Sequence, residues 1–169
     1  YERLLDAGPR HGLVHAGFHA MNACRTEKGY RHWGHDIGVL DTPVHAGLSF
    51  TCDFDKPGGF VGDAAVRQLK QQGPPLRRLV QIRLSEPDLL CHHEEPVWVD
   101  GEIAGTVTSG MYGHRVNASL AMGYISQKEP ISANLLASAR IEVEIAKERV
   151  PATAQLGPWY DPKMTRVKS

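Results

Sequence analysis

The sequence predicts an α+β fold in which a helical and loop-rich α+β segment is followed by a small antiparallel β-barrel. Apolar residues recur at helical spacing in the first part of the chain, whereas they alternate with polar residues in the second part. A two-residue hairpin turn also lies between two alternating runs. The change of period falls at Pro74-Pro75, so we predict one unit over residues 1–74 and a second over residues 75–169.

The first unit is predicted to contain helices joined by loops. Residues 2–6 read as the end of a helix that Gly8 and Pro9 close. Apolar and small residues at helical spacing predict the next helix from about residue 15 to residue 28. Gly29 then stands where a glycine commonly follows the end of a helix.

The rest of this unit is predicted from its turn residues. Glycine, aspartate and proline between residues 30 and 46 predict a loop, and residues 48–54 are a short strand candidate. Asp63 is predicted to cap a helix that stops at Gly73.

The second unit is predicted to be built from five or six short antiparallel strands. Val80, Ile82 and Leu84 share one face of the first strand. The other predicted strands lie in residues 97–107, as a hairpin that turns at Asp100-Gly101, and in residues 120–125, 141–145 and 150–154. Because no long helix is predicted between them, the pattern favours a small barrel or sandwich.

Composition excludes several classes of function. The 19 basic and 19 acidic residues balance, so we expect neither a nucleic-acid partner nor an anionic membrane surface. No apolar run reaches membrane-spanning length. Three widely spaced cysteines without a CxxC pair argue against a disulfide framework or a zinc ribbon, and favour a reducing compartment. We therefore expect a cytoplasmic protein, or one of the mitochondrial matrix if the source is eukaryotic.

The run over residues 25–37 (RTEKGYRHWGHDI) is the most informative stretch for function. It mixes an acid that ends a helix, Glu27, with cations and with the aromatic residues Tyr30 and Trp33. Each buried polar group would need its own partner, so the run suits a site that stacks a flat ring and binds its edge. The alternative is an ordinary helix end, in which Glu27 pairs with Arg25 or Arg31 and the aromatics pack in a loop.

Other chemistries have weaker support. His15 and His19 lie one helical turn apart, and residues 92–95 (HHEE) are rich in ligand-type side chains, but no further acid or cysteine falls at a partner spacing. A metal site is therefore disfavoured. Ser109 lacks a nucleophile-elbow pattern, and the glycines of residues 101–110 lie in a hairpin rather than in a phosphate-binding loop.

Six segments together resemble the folate-binding aminomethyltransferase family, which includes the T-protein of the glycine cleavage system. The resemblance is closer to the C-terminal folate domains of dimethylglycine and sarcosine dehydrogenases. The segments are residues 25–36 (RTEKGYRHWGHD), 42–48 (TPVHAGL), 60–62 (FVG), 105–110 (GTVTSG), 121–125 (AMGYI) and 160–162 (YDP). Their order matches the family from about residue 12 onward.

The resemblance implies three small lobes around a central folate channel. Residues 1–74 would end the folate-binding lobe and residues 75–169 would form the C-terminal barrel. Glu27 matches the acid that holds the pterin, and Tyr30 and Trp33 are the expected ring walls. Lys56 falls where the T-protein has a folate-contacting arginine, and Tyr160 matches its C-terminal folate-contacting tyrosine.

The resemblance also implies what this sequence does not contain. The family's catalytic acid lies in the N-terminal half, before the first residue here, so we expect no catalytic residue in this chain. Since the sequence begins at Tyr1 without an initiator methionine, we expect the C-terminal piece of a longer protein. Any FAD would belong to a missing N-terminal domain. The missing N-terminal half of the same protein would be a partner of the present chain.

The function implied is one-carbon transfer to tetrahydrofolate. A carbon released from a small methylated amine by a dimethylglycine or sarcosine dehydrogenase-like enzyme would end as 5,10-methylenetetrahydrofolate. Three alternatives stay open: a non-catalytic regulatory or binding module of the same fold, a free glycine-cleavage aminomethyltransferase, and, with less support, a demethylase that acts on a sulfonium or an ether.

Overall fold

The computed structural model describes residues 1–166 and residue 168, so two positions of the predicted second unit, 167 and 169, lie outside the described residues. The helices are α1 (Glu2–Ala7), α2 (Phe18–Glu27), α3 (Asp63–Gln71) and α4 (Ala133–Ser138), with 3₁₀ turns at Pro9–His11 and Ser49–Thr51. The strands are β1 (Arg77–Leu84), β2 (Pro96–Val99), β3 (Glu102–Gly113), β4 (Ala118–Ser126), β5 (Ile141–Ile145) and β6 (Glu148–Gln155).

The six strands form a closed antiparallel barrel with the order β1-β4-β3-β2-β5-β6. Closure comes from the pairing of β1 with β6, in which Ile82 faces Ala154. Alternate residues of the strands point inward and form one apolar core, as the period of the sequence predicts. The predicted fold class, with helices followed by a small antiparallel barrel, is confirmed.

The predicted hairpin at Asp100-Gly101 joins β2 to β3. Both residues have positive φ, +51° and +89°, which is the conformation that a tight two-residue hairpin turn requires. The Asp100 carboxylate also accepts a hydrogen bond from the backbone N–H of Arg140, at 2.8 Å. This bond ties the hairpin to the start of β5.

Two details predicted for the first unit are wrong. Residues 48–54 form a 3₁₀ turn and loop instead of a strand: the Thr51 hydroxyl donates to the Leu48 carbonyl at 2.7 Å, and Phe50 is exposed.

The second concerns the start of α3. Asp63 is the first residue of this helix and not its N-cap; the N-cap residue is Gly62, with φ +88°. The Asp63 carboxylate accepts a hydrogen bond from Arg67 instead, at 2.7 Å. Helix α4, between β4 and β5, was not predicted.

The first unit packs on the outer face of the barrel. Helix α2 contacts β3 and β4, and the backbone N–H of Leu79 in β1 donates to the His45 carbonyl at 2.9 Å. Leu79, Met122 and Tyr124 form a second, smaller apolar cluster. The residues that precede the barrel are therefore fixed directly against its strands.

None of the helices in the described residues is long and apolar enough to cross a bilayer. The same residues contain no group of three or more His, Cys, Asp or Glu side chains that could hold a metal ion.

Candidate functional site

Glu27, the last residue of α2, is the first predicted residue of the candidate site, although it is not among the residues that line the cleft described below. Gly29 adopts φ +63° after the helix cap, and the backbone N–H of Tyr30 donates to the Arg25 carbonyl at 2.8 Å. These local contacts reverse the chain and leave Glu27 as the last helical residue. Its side chain points toward the barrel, and the residue is only 4% exposed.

The Glu27 carboxylate is held by the barrel through one oxygen. Its Oε1 accepts hydrogen bonds from the backbone N–H groups of Arg115 and Val116, the second at 3.3 Å, in the turn between β3 and β4. Within the described part of the chain, Oε2 receives no hydrogen bond. The carboxylate is therefore oriented by two fixed donors and keeps an acceptor for a further partner.

Arg25 pairs with Asp36 and not with Glu27. Its Nη1 donates to Asp36 Oδ2 at 2.8 Å, and its Nη2 donates to the Ser109 hydroxyl at 2.9 Å. The buried Asp36 also accepts from the backbone N–H of His32, at 2.8 Å, and from the Thr108 hydroxyl, at 2.6 Å. This network satisfies the polar groups of the run and joins the loop after α2 to β3.

Arg31, the other cation considered as a partner of Glu27, also points elsewhere. Its guanidinium donates to the carbonyl of Ala46 at 3.0 Å and to the carbonyl of Gly29. Burial lowers the pKa of Arg31, although the nearby Asp36 charge opposes this effect. The ordinary helix-end alternative, in which an arginine satisfies Glu27, is therefore wrong for this structure.

The C-terminal segment brings Tyr160 beside Glu27. The backbone N–H of Tyr160 donates to the Glu27 carbonyl at 3.1 Å. Next to it, Lys28 Nζ donates to the Asp161 carbonyl at 2.9 Å and to its carboxylate at 3.2 Å. The same ammonium lies 5.9 Å from the centre of the Tyr160 ring. Two of the five predicted site residues are thus in direct contact.

Tyr30 lines a cleft of about 380 Å³ between the end of α2 and the C-terminal segment. Apolar groups form most of its walls, and the cationic residues Lys28 and Arg31 also line it. The lining residues are Lys28, Gly29, Tyr30, Arg31, Ile37, Leu48, Phe50, Pro158, Pro162 and Met164. Such a cleft suits a flat molecule that carries negative charge.

Trp33 and Lys56 are not brought into contact with Glu27. The Trp33 side chain is 64% exposed, and its backbone pairs with Ile37 in an isolated bridge. Lys56 is exposed in a turn that closes with a 3.0 Å hydrogen bond from the Gly59 N–H to its carbonyl. Among the described residues, neither lines the cleft beside Tyr30. Their roles stay predictions.

Sequence reasoning did not identify the partners of Glu27. Arg115 and Val116 are 88 and 89 residues away and act through their backbone N–H groups, so no side-chain pattern marks them. Lys28 and Asp161, which hold the C-terminal segment, are also distant in sequence. Only the motif at residues 160–162 signalled that this segment belongs to the site.

Family models cover most of the chain. The GCVT N-terminal domain matches residues 1–56, and the glycine cleavage T-protein C-terminal barrel domain matches residues 77–161, half of the chain. The chain belongs to the glycine cleavage T-protein family. The second match coincides with the six-stranded barrel, which begins at Arg77.

Two curated relatives match almost the whole chain. One is 4-methylaminobutanoate oxidase (formaldehyde-forming) from Paenarthrobacter nicotinovorans, 38% identical over 99% of this chain and 19% of its own length. The other is mitochondrial dimethylglycine dehydrogenase from Rattus norvegicus, 34% identical over 99% of this chain and 19% of its own length. This chain therefore spans about a fifth of the length of these relatives, and the predicted resemblance to the dehydrogenase branch is confirmed.

A solved structure shares the fold. The glycine cleavage system aminomethyltransferase T from Bartonella henselae superposes with a TM-score of 0.70 at 22% identity, over 85% of this chain and 38% of that chain. This likeness supports the architecture of helices and barrel.

Proposed function

We propose that the protein containing this chain binds tetrahydrofolate and uses it to accept a one-carbon unit from a small methylated amine. Glu27 would bind the pterin ring. The observation that carries the proposal is the state of this carboxylate: it is buried, Oε1 is held by two backbone N–H groups, and Oε2 has no donor among the described residues. Membership of the glycine cleavage T-protein family supports it.

The chemistry of Glu27 fits the edge of a pterin. An ionised carboxylate only accepts hydrogen bonds, and the ring N–H and amino group of a pterin are donors. Because Glu27 is buried, a hydrogen bond to its free oxygen would be stronger than the same bond in water. The two backbone donors also fix the direction of that oxygen before a ligand binds.

The neighbouring cleft fits the rest of the molecule. Tyr30 and the apolar walls can contact an aromatic ring, while Lys28 and Arg31 can attract carboxylates of the folate tail. Tyr160 lies against the end of α2 and would contact the same ligand. We propose Trp33 and Lys56 as further contacts, since their exposed side chains are free to meet a ligand.

When bound, tetrahydrofolate supplies the amine nitrogen that takes up the one-carbon unit. The residues of this chain would orient the ring through Glu27 and exclude water with the apolar walls of the cleft. The methylated amine is proposed because the two relatives are named for N-methylated amino acids, dimethylglycine and 4-methylaminobutanoate. Any flavin chemistry would belong to other parts of the parent protein.

Calorimetric titration of tetrahydrofolate into the full-length parent protein, under anaerobic conditions, tests the proposal. Glu27→Gln keeps an oxygen for the N–H groups of Arg115 and Val116 but removes the charge. We expect it to weaken tetrahydrofolate binding by about tenfold to a hundredfold, the range for a hydrogen bond to a charged group. Glu148→Gln, an exposed acid on β6, is the matched control and should bind like the wild type.

Unchanged affinity in Glu27→Gln, with the wild-type thermal transition retained, would contradict the role of Glu27. Absence of tetrahydrofolate binding in the wild-type parent protein would contradict the function itself.

A further inference from the structure

Arg78, the second residue of β1, carries a charge that has no partner within the described residues. Its Nε is buried and has no hydrogen-bond acceptor, and no described carboxylate pairs with its guanidinium. The side chain is partly covered by protein, and this burial lowers the pKa of Arg78. Because a partly buried charge without a partner costs free energy, Arg78 marks a place where an anion would be stabilised.

Arg31 points toward the same place. Its Nε and Nη1 donate to the carbonyl groups of Ala46 and Gly29, whereas its Nη2 has no acceptor in the described part of the chain. A Cβ added to Gly47 would lie 3.0 Å from Nη2 of Arg31 and 4.0 Å from Nη2 of Arg78. The two guanidinium groups therefore border one small space, in which their charges repel each other.

The charges around this space are not balanced by a free acid. Burial lowers the pKa of Arg31, and the charge of Arg78 lowers it further, while the nearby Asp36 opposes both effects. The Asp36 carboxylate already accepts hydrogen bonds from three other groups. An anion between the two arginines would relieve their repulsion and supply the acceptors that they lack. A carboxylate suits this place, because its two oxygens match the planar fork of a guanidinium.

The same space adjoins the cleft beside Tyr30. Arg31 lines that cleft, and so does Leu48, the residue that follows Gly47. Arg78 is not among the lining residues, so it would meet only the end of a ligand that extends past Gly47. In tetrahydrofolate the carboxylates lie at the end of the tail, away from the pterin ring. We propose that Arg31 and Arg78 together bind a carboxylate of this tail, an inference that rests on the proposed function.

Calorimetric titration of the full-length parent protein with two ligands, under anaerobic conditions, tests the role of Arg78. Tetrahydrofolate carries the tail, whereas 6-methyltetrahydropterin has the same reduced ring without it. We expect Arg78→Gln to weaken tetrahydrofolate binding about tenfold, and to change 6-methyltetrahydropterin binding by less than about twofold. Arg140→Gln removes an exposed arginine that pairs with Glu142, and should bind both ligands like the wild type.

Two results of this titration would overturn the proposal while leaving the proposed function intact. One is tetrahydrofolate bound by Arg78→Gln as tightly as by the wild type. The other is an equal loss of affinity for tetrahydrofolate and 6-methyltetrahydropterin, which would place Arg78 away from the tail. A wild-type protein that binds no tetrahydrofolate would instead contradict the proposed function, and the tail site with it.

The thermal stability of the ligand-free parent protein gives a second readout. Since Arg78 has no partner among the described residues, Arg78→Gln should unfold at the same temperature as the wild type or at a higher one. If a carboxylate from another part of the parent protein already occupied the space, the variant would unfold at a clearly lower temperature. That result would overturn the proposal, and it does not depend on whether tetrahydrofolate binds.

Discussion

Asp36 is the residue that ties the run after α2 to the barrel. Its buried carboxylate accepts hydrogen bonds from Arg25, from the backbone of His32 and from Thr108 in β3. An isolated charge at this position would be costly, whereas a charge with three donors is satisfied. Several of the charged and polar residues that make residues 25–37 conspicuous in the sequence therefore belong to a structural hydrogen-bond network around Asp36. Glu27 is not part of this network.

Replacing Asp36 should cost much of the stability of the chain. Asp36→Ala leaves the Arg25 guanidinium, whose side chain is only 16% exposed, without its buried counter-charge. We expect the free energy of unfolding in urea to fall by about 3–5 kcal/mol. Asp63→Ala removes the partner of Arg67 in a far more exposed pair and should cost about 1 kcal/mol or less. Equal losses in the two variants would contradict this account of Asp36.

The three cysteines should differ strongly in reactivity. Cys91 is fully buried, and burial together with the Glu95 charge raises the pKa of its thiol to about 12. Because the thiolate is the reactive form, Cys91 should resist a thiol reagent at pH 8 until the chain unfolds, whereas the exposed Cys24 should react quickly. Mass spectrometry of the labelled native chain checks this, and labelling of Cys91 as fast as Cys24 would contradict the structure.

Whether the surroundings of a residue could be predicted depends on how far away in sequence its contacts lie. The burial of Glu27 and its place at a helix end were predictable, because the reversal at Gly29 depends on neighbouring residues. The donors to Glu27 were not predictable, because Arg115 and Val116 contribute only backbone N–H groups and lie 88 and 89 residues further along the chain. The alternative prediction, in which Glu27 pairs with Arg25, is wrong because Arg25 pairs with Asp36. It was chemically reasonable, since the sequence does not reveal the distant backbone donors to Glu27.

Strands β3 and β4 pack too closely to accept side chains at certain glycines. A Cβ added to Gly123 would lie 2.5 Å from the Thr106 carbonyl oxygen, and one added to Gly105 would lie 1.8 Å from the carbonyl oxygen of Tyr124. Both clashes are with backbone atoms of a paired strand, which cannot rotate away. These glycines therefore keep the two strands at hydrogen-bonding distance.

Gly123→Ala should destabilise the barrel. The extra methyl group has to separate β3 from β4, so we expect a loss of about 1–3 kcal/mol in the free energy of unfolding, the range for overpacked interiors. Gly157→Ala, where an added Cβ meets no atom within 4 Å, should leave the stability nearly unchanged. Thermal or urea denaturation measures both, and a stable Gly123→Ala variant would show that the strands can separate without cost.

The barrel was predictable from sequence in a way that the loops were not. In β1 and β5 apolar and polar residues alternate, and Asp100-Gly101 forms a tight turn. These local patterns predict the same strands and hairpin that pair in the closed barrel. Residues 48–54 carry apolar side chains as well, but no strand within the described residues pairs with them, and local hydrogen bonds close a 3₁₀ turn instead. Their side chains Leu48 and Phe50 line the cleft next to Tyr30.

Across the whole molecule, distant parts of the chain converge at the end of α2. The turn between β3 and β4 holds the Glu27 carboxylate, and the C-terminal segment is fixed to the Glu27 carbonyl and to Lys28. The family's fold thus places residues from both predicted units at one site, although they lie far apart in sequence.

The most direct test of the central claim is a crystal structure of the full-length parent protein with tetrahydrofolate bound. We expect Glu27 to keep Oε1 on the N–H groups of Arg115 and Val116 and to accept a hydrogen bond from the pterin at Oε2, at about 2.7–3.2 Å. A pterin bound elsewhere, with Glu27 Oε2 paired only to protein groups, would contradict the account.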